Sequence, residues 1–421
     1  MNNTRRTRQP STSGEQGQGF VCVINRNRDG YQVPLALQEA GLLSAFVTDF
    51  YARDSWMRWL PLLLRARKID GLPAVKTRST WSSFFLQVAM IALKLPRRNV
   101  LNLSDRILAK HARTLAESRS AHLYCYASYV PSPERLRPGT RIIDFEFHPL
   151  PQLTYDTLSR DAALYPEVAK SFADEETSLK EEVMTDSWRL AEAVVCASNM
   201  TRRSLEFAGC RPELITVVPY GFRSRAELPT AKPRSAEGCR FLYVGQGIQR
   251  KGLHHLIRAW KQADIPDATL TLVCYRIDPG IAAMAEGTNI RLLGRQSREE
   301  LNAHYDEADV FVMPSLVEGF GLVYLEAIEH GCHVIGSTAT GLPDLPLSDR
   351  AMTLIEPGDI PALIACLRDL RRRKAEGEFS PAEIQAEMDK WTWHDFRRKI
   401  ANHARAFLSE GAVPHELRNG G

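Results

Sequence analysis

Two glutamates, Glu318 and Glu326, flank a glycine-rich turn in the second half of the chain, with seven residues between them. Gly319 and Gly321 allow the backbone to turn sharply and allow a ligand to approach its N–H groups closely. From Leu322 the pattern becomes helical, and the first N–H groups of a helix are unpaired and carry its positive dipole end. The sequence therefore predicts an anion site here, with phosphate as the first candidate.

The two carboxylates suggest a polyhydroxylated ligand beside that anion. Glu326 lies about one turn into the predicted helix, and its side chain can lean back toward the helix N-terminus. A carboxylate there can accept two hydrogen bonds from a diol such as a ribose. Glu318 precedes the turn and is expected on the other side of the same pocket. The alternative is a surface helix with two solvated glutamates, because glutamate is mostly exposed in proteins.

The elements that must position this turn are a strand before it and a helix after it. The stretch 309–313 has the largely apolar, β-branched character of a buried parallel strand, and Pro314 is typical of the junction that follows. Gly331 stands where a glycine would end the helix.

Length and composition indicate an ordinary globular protein with more than one domain. The chain has 421 residues, 44% of them hydrophobic and 25% charged, which suits two domains of roughly 150 to 200 residues. A formal net charge of +4 is small for this size and does not by itself indicate nucleic-acid binding. No nucleic-acid motif accompanies it, so no nucleic-acid partner is expected.

Cysteine usage and hydropathy predict a cytoplasmic protein. The eight cysteines form no CxxC pair and mostly lie in apolar runs, as buried core thiols do in a reducing compartment. The first 19 residues have no apolar stretch and are expected to be a disordered lead rather than a signal peptide. No uninterrupted apolar run reaches 18 residues.

Strands and helices alternate along the rest of the chain, which predicts an α/β protein. The expected organisation is an N-terminal domain at 20–223, a polar linker at 224–238 and a second domain at 239–386. A last helix at 387–410 is expected to pack back on the first domain. Two local signals mark helix starts: Ser198 as an N-cap, and the capping box that begins at Ser297. Two parallel-sheet domains facing each other across a cleft follow from this pattern.

Residues 53–117 differ from the rest in charge. They contain 13 lysines and arginines and 4 acidic residues, a net +9, together with Trp56, Trp59 and Trp81. Basic residues beside exposed tryptophans suit an anionic membrane surface or a lipid-linked substrate. Apolar helices with a solvated basic face are the alternative.

Two residues of the first half are candidates for the cleft. Gly30 lies in the turn after the first strand, although the full GxGxxG fingerprint is absent and an ordinary turn glycine is the alternative. His148 follows the predicted strand at 140–145, and open α/β sheets bind ligands at the carboxyl ends of their strands. A packing or capping histidine is the alternative for this position.

From about residue 193 to 408 the sequence resembles the donor-binding half of a retaining glycosyltransferase of family 4, as in bacterial polysaccharide synthesis. The most specific element is the E-x7-E motif, present as EGFGLVYLE. Around it VVPYGFR, FLYVGQGIQRKG, LLGRQSREEL, ADVFVMPS, TGLPDL, LIEPGD and WTWHDF follow the order of the family. The resemblance implies the GT-B fold, in which two Rossmann-like domains face each other. In the first half, only the opening βαβ unit and FEFHP resemble the family.

The resemblance also implies roles for individual residues. Glu326 would hold the ribose of a nucleotide-sugar, and Glu318 would contact the donor sugar beside the departing phosphate. His148 matches the active-site histidine of the family. The diphosphate would be held by the backbone N–H groups of Gly319, Phe320, Gly321, Leu322 and Val323.

The cations expected around the diphosphate are only partly in place. Lys251 matches the phosphate-binding lysine of the family. Five positions before it the family usually has arginine, and this chain has Gln246, which can hydrogen-bond a phosphate but brings no charge. Arg250 is a candidate to supply the missing charge. A further departure is Thr340 before Gly341, where the family often has two glycines.

The implied reaction transfers a hexose from a nucleoside-diphosphate sugar to an acceptor hydroxyl with retention of anomeric configuration. No metal and no cofactor are expected, and the donor is a substrate. A saccharide or lipid-linked saccharide is the expected acceptor, with the protein at the inner face of the membrane. The alternatives are a soluble small-molecule acceptor, or a catalytically degraded nucleotide-binding or interaction protein that keeps the fold.

Overall fold

The strands of the protein form two separate parallel sheets. The computed structural model of the chain describes residues 19–27, 29–52, 67–93, 97–127, 136–182, 187–231, 234–235 and 237–410. Residues 1–18, and 53–66 and 94–96 of the basic segment, lie outside the described residues, and so do Trp56 and Trp59.

The first sheet has seven strands in the order β3-β2-β1-β4-β5-β6-β7. Its strands are β1 (Phe20–Val23), β2 (Leu43–Thr48), β3 (Thr77–Ser79), β4 (His122–Tyr126), β5 (Ile142–Glu146), β6 (Ala193–Cys196) and β7 (Ile215–Val217). Every residue of β1, β4 and β5 is buried, because helices cover both faces of a parallel sheet.

The second sheet has six strands in the order β10-β9-β8-β11-β12-β13. They are β8 (Cys239–Gly247), β9 (Ala268–Ile277), β10 (Ile290–Leu293), β11 (Val310–Met313), β12 (His333–Ser337) and β13 (Met352–Ile355).

Helices connect the strands. The described α-helices are α1 (Gln32–Glu39), α2 (Trp81–Ala92), α3 (Arg97–Arg119), α4 (Pro151–Leu164), α5 (Ala169–Glu182), α6 (Asn199–Phe207), α7 (Leu253–Ala263), α8 (Pro279–Ala285), α9 (Arg298–Glu307), α10 (Leu322–Glu329), α11 (Ile360–Ala375), α12 (Pro381–Ala386) and α13 (Trp393–Ser409). Short 3-10 helices lie at Ala74–Lys76, Pro166–Val168, Ser187–Leu190, Pro212–Leu214, Arg225–Glu227, Gln249–Lys251, Leu342–Asp344 and Glu387–Lys390.

The strand order locates the place where each domain can hold a ligand. In the first sheet, β2 and β3 lie on one side of β1 and the later strands on the other, so the order of the strands reverses there. In the second sheet the order reverses in the same way at β8, between β9 and β11. Ligands of open α/β sheets bind outside the carboxyl ends of the strands at such points. The loop after β1 carries Gly30, and the turn after β11, the neighbour of β8, carries Glu318. The predicted α/β class with two parallel sheets is therefore confirmed.

Local sequence signals agree with the observed elements. Ser198 is the N-cap of α6 and accepts a 3.0 Å hydrogen bond from the N–H of Thr201. Ser297 and Glu300 form the predicted capping box of α9. Gly331 follows α10 in a left-handed conformation, φ 75°, as a terminating glycine does.

The cysteines lie in the core as free thiols, as the sequence predicts. Seven of the eight cysteines are buried and all eight are free thiols. Among the described helices, none combines the length and the apolar character needed to cross a bilayer.

The last helix, α13, contacts the first domain. Arg397 donates to the side chain of Gln32 at 2.8 Å and to Glu39 at 2.9 Å, and both acceptors belong to α1. The chain therefore returns to the first sheet after completing the second.

Candidate functional site

The turn between β11 and α10 has the shape that its glycines predict. Gly321 precedes the helix with φ 91° and ψ 68°, a left-handed conformation. A Cβ at this position would lie 2.5 Å from the ring of Tyr324, so a larger residue would also clash. The first N–H groups of α10, which an α-helix leaves without intrahelical acceptors, follow directly after this turn. A helix end of this kind is where an anion is favoured, as the sequence predicts.

Gly319 brings the two domains into direct contact. A Cβ on this residue would lie 2.1 Å from the carbonyl oxygen of Phe147 and 3.2 Å from the Cα of His148. The turn therefore packs against the end of the FEFHP passage with no space for a side chain. His148 is exposed, and its electrostatic interaction with Glu318 lowers the pKa of that carboxyl. Two predicted site residues from different domains are thus neighbours.

Helix α6 of the first domain holds the same turn from another side. The Ser198 hydroxyl donates to the carbonyl of Gly319, and Thr201 Oγ1 lies 3.4 Å from the same oxygen. The N–H of Asn199 donates to Asp344 Oδ2 at 2.8 Å. The N-terminus of one helix therefore fixes the turn that carries Glu318.

Glu318 is buried between two cations. Its Oε2 accepts a 3.0 Å hydrogen bond from Arg250 Nη1 and a second bond from Lys251 Nζ. Burial alone would raise the pKa of Glu318, but the charges of Lys251 and Arg250 outweigh it and lower the pKa to about 2. Arg250 also donates to Glu175 Oε1 of α5 at 3.1 Å. Both cations lie beside the turn, and carboxylates neutralise them.

Glu326 faces a different space, a cleft of about 960 Å³. Its side chain is 30% exposed and lies 3.3 Å from Arg298 Nη1 and 3.4 Å from the hydroxyl of Tyr305. Leu322, the first residue of α10, lines the same cleft, and Gly30 lies on the wall that the first domain contributes. The structure thus brings Gly30, Leu322 and Glu326 together around one cleft between the domains.

The cleft also contains residues that the sequence analysis did not identify. Arg223 donates through Nε to Glu329 Oε2 at 2.8 Å, and both side chains line the cleft. Arg298, Asp29 and Trp393 line it as well. The available signal for Arg223 was its position in VVPYGFR, the stretch that leads out of the last strand of the first sheet. Glu329 carried no such signal, because it follows Glu326 on an ordinary helix.

Gln246 lies apart from this cleft. Its side-chain amide donates to the hydroxyl of Tyr275 at 2.5 Å, and it lines a smaller cavity of about 400 Å³. Arg250 lines the same cavity. The second positive charge beside Lys251 therefore comes from Arg250, one residue away, and not from position 246.

Part of the chain matches a protein-family model. Residues 238–373 match the model described as "Glycosyl transferases group 1". This stretch contains the second sheet, α7, the turn and α10. It contains Glu318, Glu326, Lys251, Arg250 and Gln246.

Several curated proteins with similar sequences are glycosyltransferases. A GDP-mannose-dependent monoacylated alpha-(1-6)-phosphatidylinositol monomannoside mannosyltransferase of Corynebacterium glutamicum is 32% identical over 171 residues, covering 37% of this chain and 44% of that protein. The sulfoquinovosyl transferase of Arabidopsis thaliana is 36% identical over 195 residues, covering 46% of this chain and 33% of that protein. The amylovoran biosynthesis glycosyltransferase AmsK of Erwinia amylovora is 26% identical over 232 residues, covering 52% of this chain and 56% of that protein. The chain thus spans between a third and about half of the length of these relatives.

Solved structures share the whole two-domain arrangement. A sucrose-phosphate synthase from Thermosynechococcus elongatus has a TM-score of 0.60 at 19% identity, covering 93% of this chain and 99% of that one. HepE of Anabaena, solved in complex with UDP and glucose, has a TM-score of 0.53 at 16% identity, covering 92% of this chain and all of that one. The chain therefore has the GT-B fold, with two Rossmann-like domains around a cleft, and its second domain carries the group 1 glycosyl transferase match.

Proposed function

We propose that this protein is a retaining glycosyltransferase of the family 4 type that transfers a hexose from a nucleoside-diphosphate sugar to an acceptor hydroxyl. The observation that carries the proposal is the turn between β11 and α10. It places a helix N-terminus and Glu326 on an interdomain cleft of about 960 Å³, a volume that suits a nucleotide-sugar. On the other side of the same turn, Glu318 lies beside Lys251 and Arg250.

The donor is proposed to bind along α10. Glu326 accepts hydrogen bonds from the ribose hydroxyls, and the N–H groups of residues 319–323 receive the diphosphate. Arg298 lies 3.3 Å from Glu326, and this contact orients the carboxylate before the ribose arrives.

Charge stabilisation is the main catalytic contribution in this proposal. The diphosphate gains negative charge as its bond to the sugar breaks, and fixed cations near it lower the barrier. Lys251 and Arg250 together supply two positive charges. The site therefore has the number of cations that the family resemblance implies, although Gln246 is neutral. Glu318 balances these charges when no donor is present and contacts the sugar when it is.

The acceptor hydroxyl attacks on the face from which the diphosphate departs. A leaving phosphate oxygen takes the proton of this hydroxyl, so no protein nucleophile and no metal are required. The Cα of His148 lies beside Gly319, and its exposed imidazole is proposed to face the sugar. Positioning of the two substrates then accounts for the remaining acceleration.

A saccharide or lipid-linked saccharide at the membrane is the proposed acceptor. Several relatives carry names from glycolipid and exopolysaccharide synthesis. Helix α2 begins with Trp81, which stacks on Phe85 with ring centroids 5.8 Å apart, and both side chains are exposed. Exposed aromatic side chains in a segment of net +9 suit the headgroup region of an anionic membrane. A peripheral position at the inner membrane face follows from this proposal.

One competing function is that of a degraded member of the fold, which binds nucleotides without turnover; it would apply if Arg250 did not replace the charge that Gln246 lacks. A transferase for a soluble small acceptor is the alternative within the enzyme class. Both alternatives lead to measurable differences in the experiment that follows.

The test measures nucleoside diphosphate release from UDP-, GDP- and ADP-sugars, with thermal shifts to identify the nucleotide that binds. Lys251→Met is expected to lower turnover by about 10²- to 10³-fold, the usual effect of removing one group that stabilises developing charge. Glu326→Gln is expected to weaken donor binding. Lys261→Met, an exposed lysine on α7, is the matched control and should leave both quantities unchanged.

Binding of a nucleotide without release from any donor sugar, even with saccharide and lipid-linked acceptors present, would favour the degraded form. Turnover that survives Lys251→Met unchanged would exclude the proposed role of that lysine. Release stimulated only by a water-soluble acceptor would replace the membrane acceptor with a small metabolite.

A further inference from the structure

A buried cluster of one carboxylate and two imidazoles lies where α4 of the first domain meets α7 of the second. Asp161 Oδ2 is 3.0 Å from His254 Nε2, and Asp161 Oδ1 is 2.8 Å from His255 Nε2. His254 is fully buried, and His255 and Asp161 are 2% and 9% exposed. One potential ligand atom from each of the three residues lies within 4.8 Å of the others. None of these residues belongs to the proposed donor site.

The contact with His255 is not an ordinary hydrogen bond. Its Nε2 is buried and, among the described residues, has no hydrogen-bond partner, although Asp161 Oδ1 is only 2.8 Å away. The two atoms are close without an N–H directed at the oxygen. Ligand atoms around a small cation also lie close together with no hydrogen bond between them, because metal–ligand bonds of about 2.0 to 2.2 Å place neighbouring ligand atoms roughly 3 Å apart.

The surroundings orient the carboxylate and keep water out. Gln249 Nε2 donates to Asp161 Oδ2 at 2.8 Å and to the carbonyl of Leu158 at 2.8 Å. The ring of Tyr165 packs edge-on against both imidazoles, with centroids 5.4 Å from His254 and 4.8 Å from His255. A hydrogen bond to a ligating carboxylate is the usual support of a metal ligand.

We propose that Asp161, His254 and His255 form a binding site for a borderline-soft divalent cation of the Zn²⁺ class. Two imidazoles and one carboxylate are a ligand set that zinc accepts, with a water or the buried Gln249 Oε1 available for the fourth position. The ion is structural, because it connects α4 to α7 and takes no part in sugar transfer. Separation of the two domains would open the interface and give the cation its path to the ligands.

The experiment uses the full 421-residue chain after removal of metals with a chelator. Zinc uptake is measured by equilibrium dialysis with elemental analysis, and Co²⁺ is added separately to record its visible absorption. The expected result is about one equivalent of zinc per chain and a Co²⁺ spectrum without thiolate charge-transfer bands. Asp161→Asn and His255→Gln should each weaken zinc binding by at least about tenfold. His330→Gln is the control, because His330 pairs with Asp306 at 2.6 Å outside the proposed site, and this variant should bind zinc as the unsubstituted chain does.

Circular dichroism and melting temperature establish that each variant is folded. Zinc should raise the melting temperature of the unsubstituted chain and of His330→Gln, and not that of Asp161→Asn. No uptake by the unsubstituted chain at micromolar free zinc would overturn the proposal and leave a hydrogen-bonded contact between domains. Uptake that is equal in all variants would overturn it too, because the zinc would then lie elsewhere. If a variant fails to fold, the Co²⁺ spectrum of the unsubstituted chain decides between nitrogen and oxygen ligands and cysteine ligands.

Discussion

Replacing Gly319 by alanine tests whether direct contact between the domains positions the turn that carries Glu318. Gly319 does not adopt a positive φ, so alanine fits its backbone, and the effect of the substitution is steric. The new Cβ would lie 2.1 Å from the carbonyl oxygen of Phe147, whereas real Cβ contacts stay beyond 3.0 Å. The turn and the FEFHP passage must therefore move apart by about 1 Å.

The size of the effect follows from that displacement. Overpacking of this kind costs about 1 to 3 kcal/mol, which corresponds to a fall in melting temperature of roughly 2 to 12 °C for a domain of this size. A displacement of about 1 Å near the reacting groups can lower turnover by about 10²-fold. Hydrogen exchange should increase at residues 145–150 and 198–201, the two segments that contact the turn.

Gly294→Ala is the matched control. Nothing lies within 4 Å of a Cβ at Gly294, and its φ is not positive, so this substitution adds the same methyl group without a clash. Melting temperature, hydrogen exchange and nucleoside diphosphate release are compared for the two variants. Equal melting temperatures and equal exchange protection in both would refute the tight interdomain contact, whatever the activity of the protein proves to be.

Three further predictions concern the N-cap at Ser198, the ion pairs of Glu318 and the exposed aromatic rings of α2. Ser198→Ala should lower the free energy of unfolding by about 2 kcal/mol in urea titrations, because it removes both an N-cap and the hydrogen bond to the turn. The control, Ser297→Ala, removes only a cap and should lower the free energy of unfolding by about 1 kcal/mol. Equal losses in the two variants would contradict this prediction. The pKa of Glu318 is about 2 in the folded protein, below the ordinary value of 4.5, so its ionised form contributes stability above about pH 4.5 and loses that contribution as the pH falls toward 2. Glu318→Gln should therefore be destabilised by about 3 to 5 kcal/mol at neutral pH, because it leaves buried cations uncompensated. The difference in free energy of unfolding from the unsubstituted chain should shrink as the pH falls below about 4.5. A difference that does not depend on pH would exclude the ion pairs. In vesicle flotation, joint replacement of Trp81 and Phe85 by alanine should weaken binding to anionic vesicles by about tenfold or more, since both exposed rings lose their contacts with the lipid. The control is the unsubstituted chain on zwitterionic vesicles. Equal binding of the variant and the unsubstituted chain to anionic vesicles would contradict membrane contact through α2.

Much of the local structure could be predicted because its causes lie within a few neighbouring residues. The N-cap at Ser198 and the capping box at Ser297 involve residues three positions apart, and both are present in the structure. Strand β11 was predicted from its apolar run, since a strand buried on both faces needs no alternation. Strands β3 and β13 were missed: β3 has three residues and no apolar run, and β13, in the stretch MTLI, is only partly buried.

The surroundings of the candidate site depend on contacts between residues far apart in sequence. Glu326 was predicted to face a ligand, and the structure places it on the interdomain cleft. The pairing of Glu318 with Arg250 joins residues 68 positions apart, and no local pattern announces it. The same holds for Arg223 and Glu329, which are 106 positions apart.

The sequence by itself determined the α/β class, the alternation of strands and helices, and the turn with its two glutamates, because periodicity, capping and glycine geometry act over a few residues. Only the tertiary structure decided which groups meet across the domains. It placed the carbonyl of Phe147 against Gly319, Glu175 of the first domain beside Arg250 of the second, and Asp161 between two histidines. These contacts depend on how two sheets pack against each other, and that packing is set by the whole buried surface rather than by any one segment.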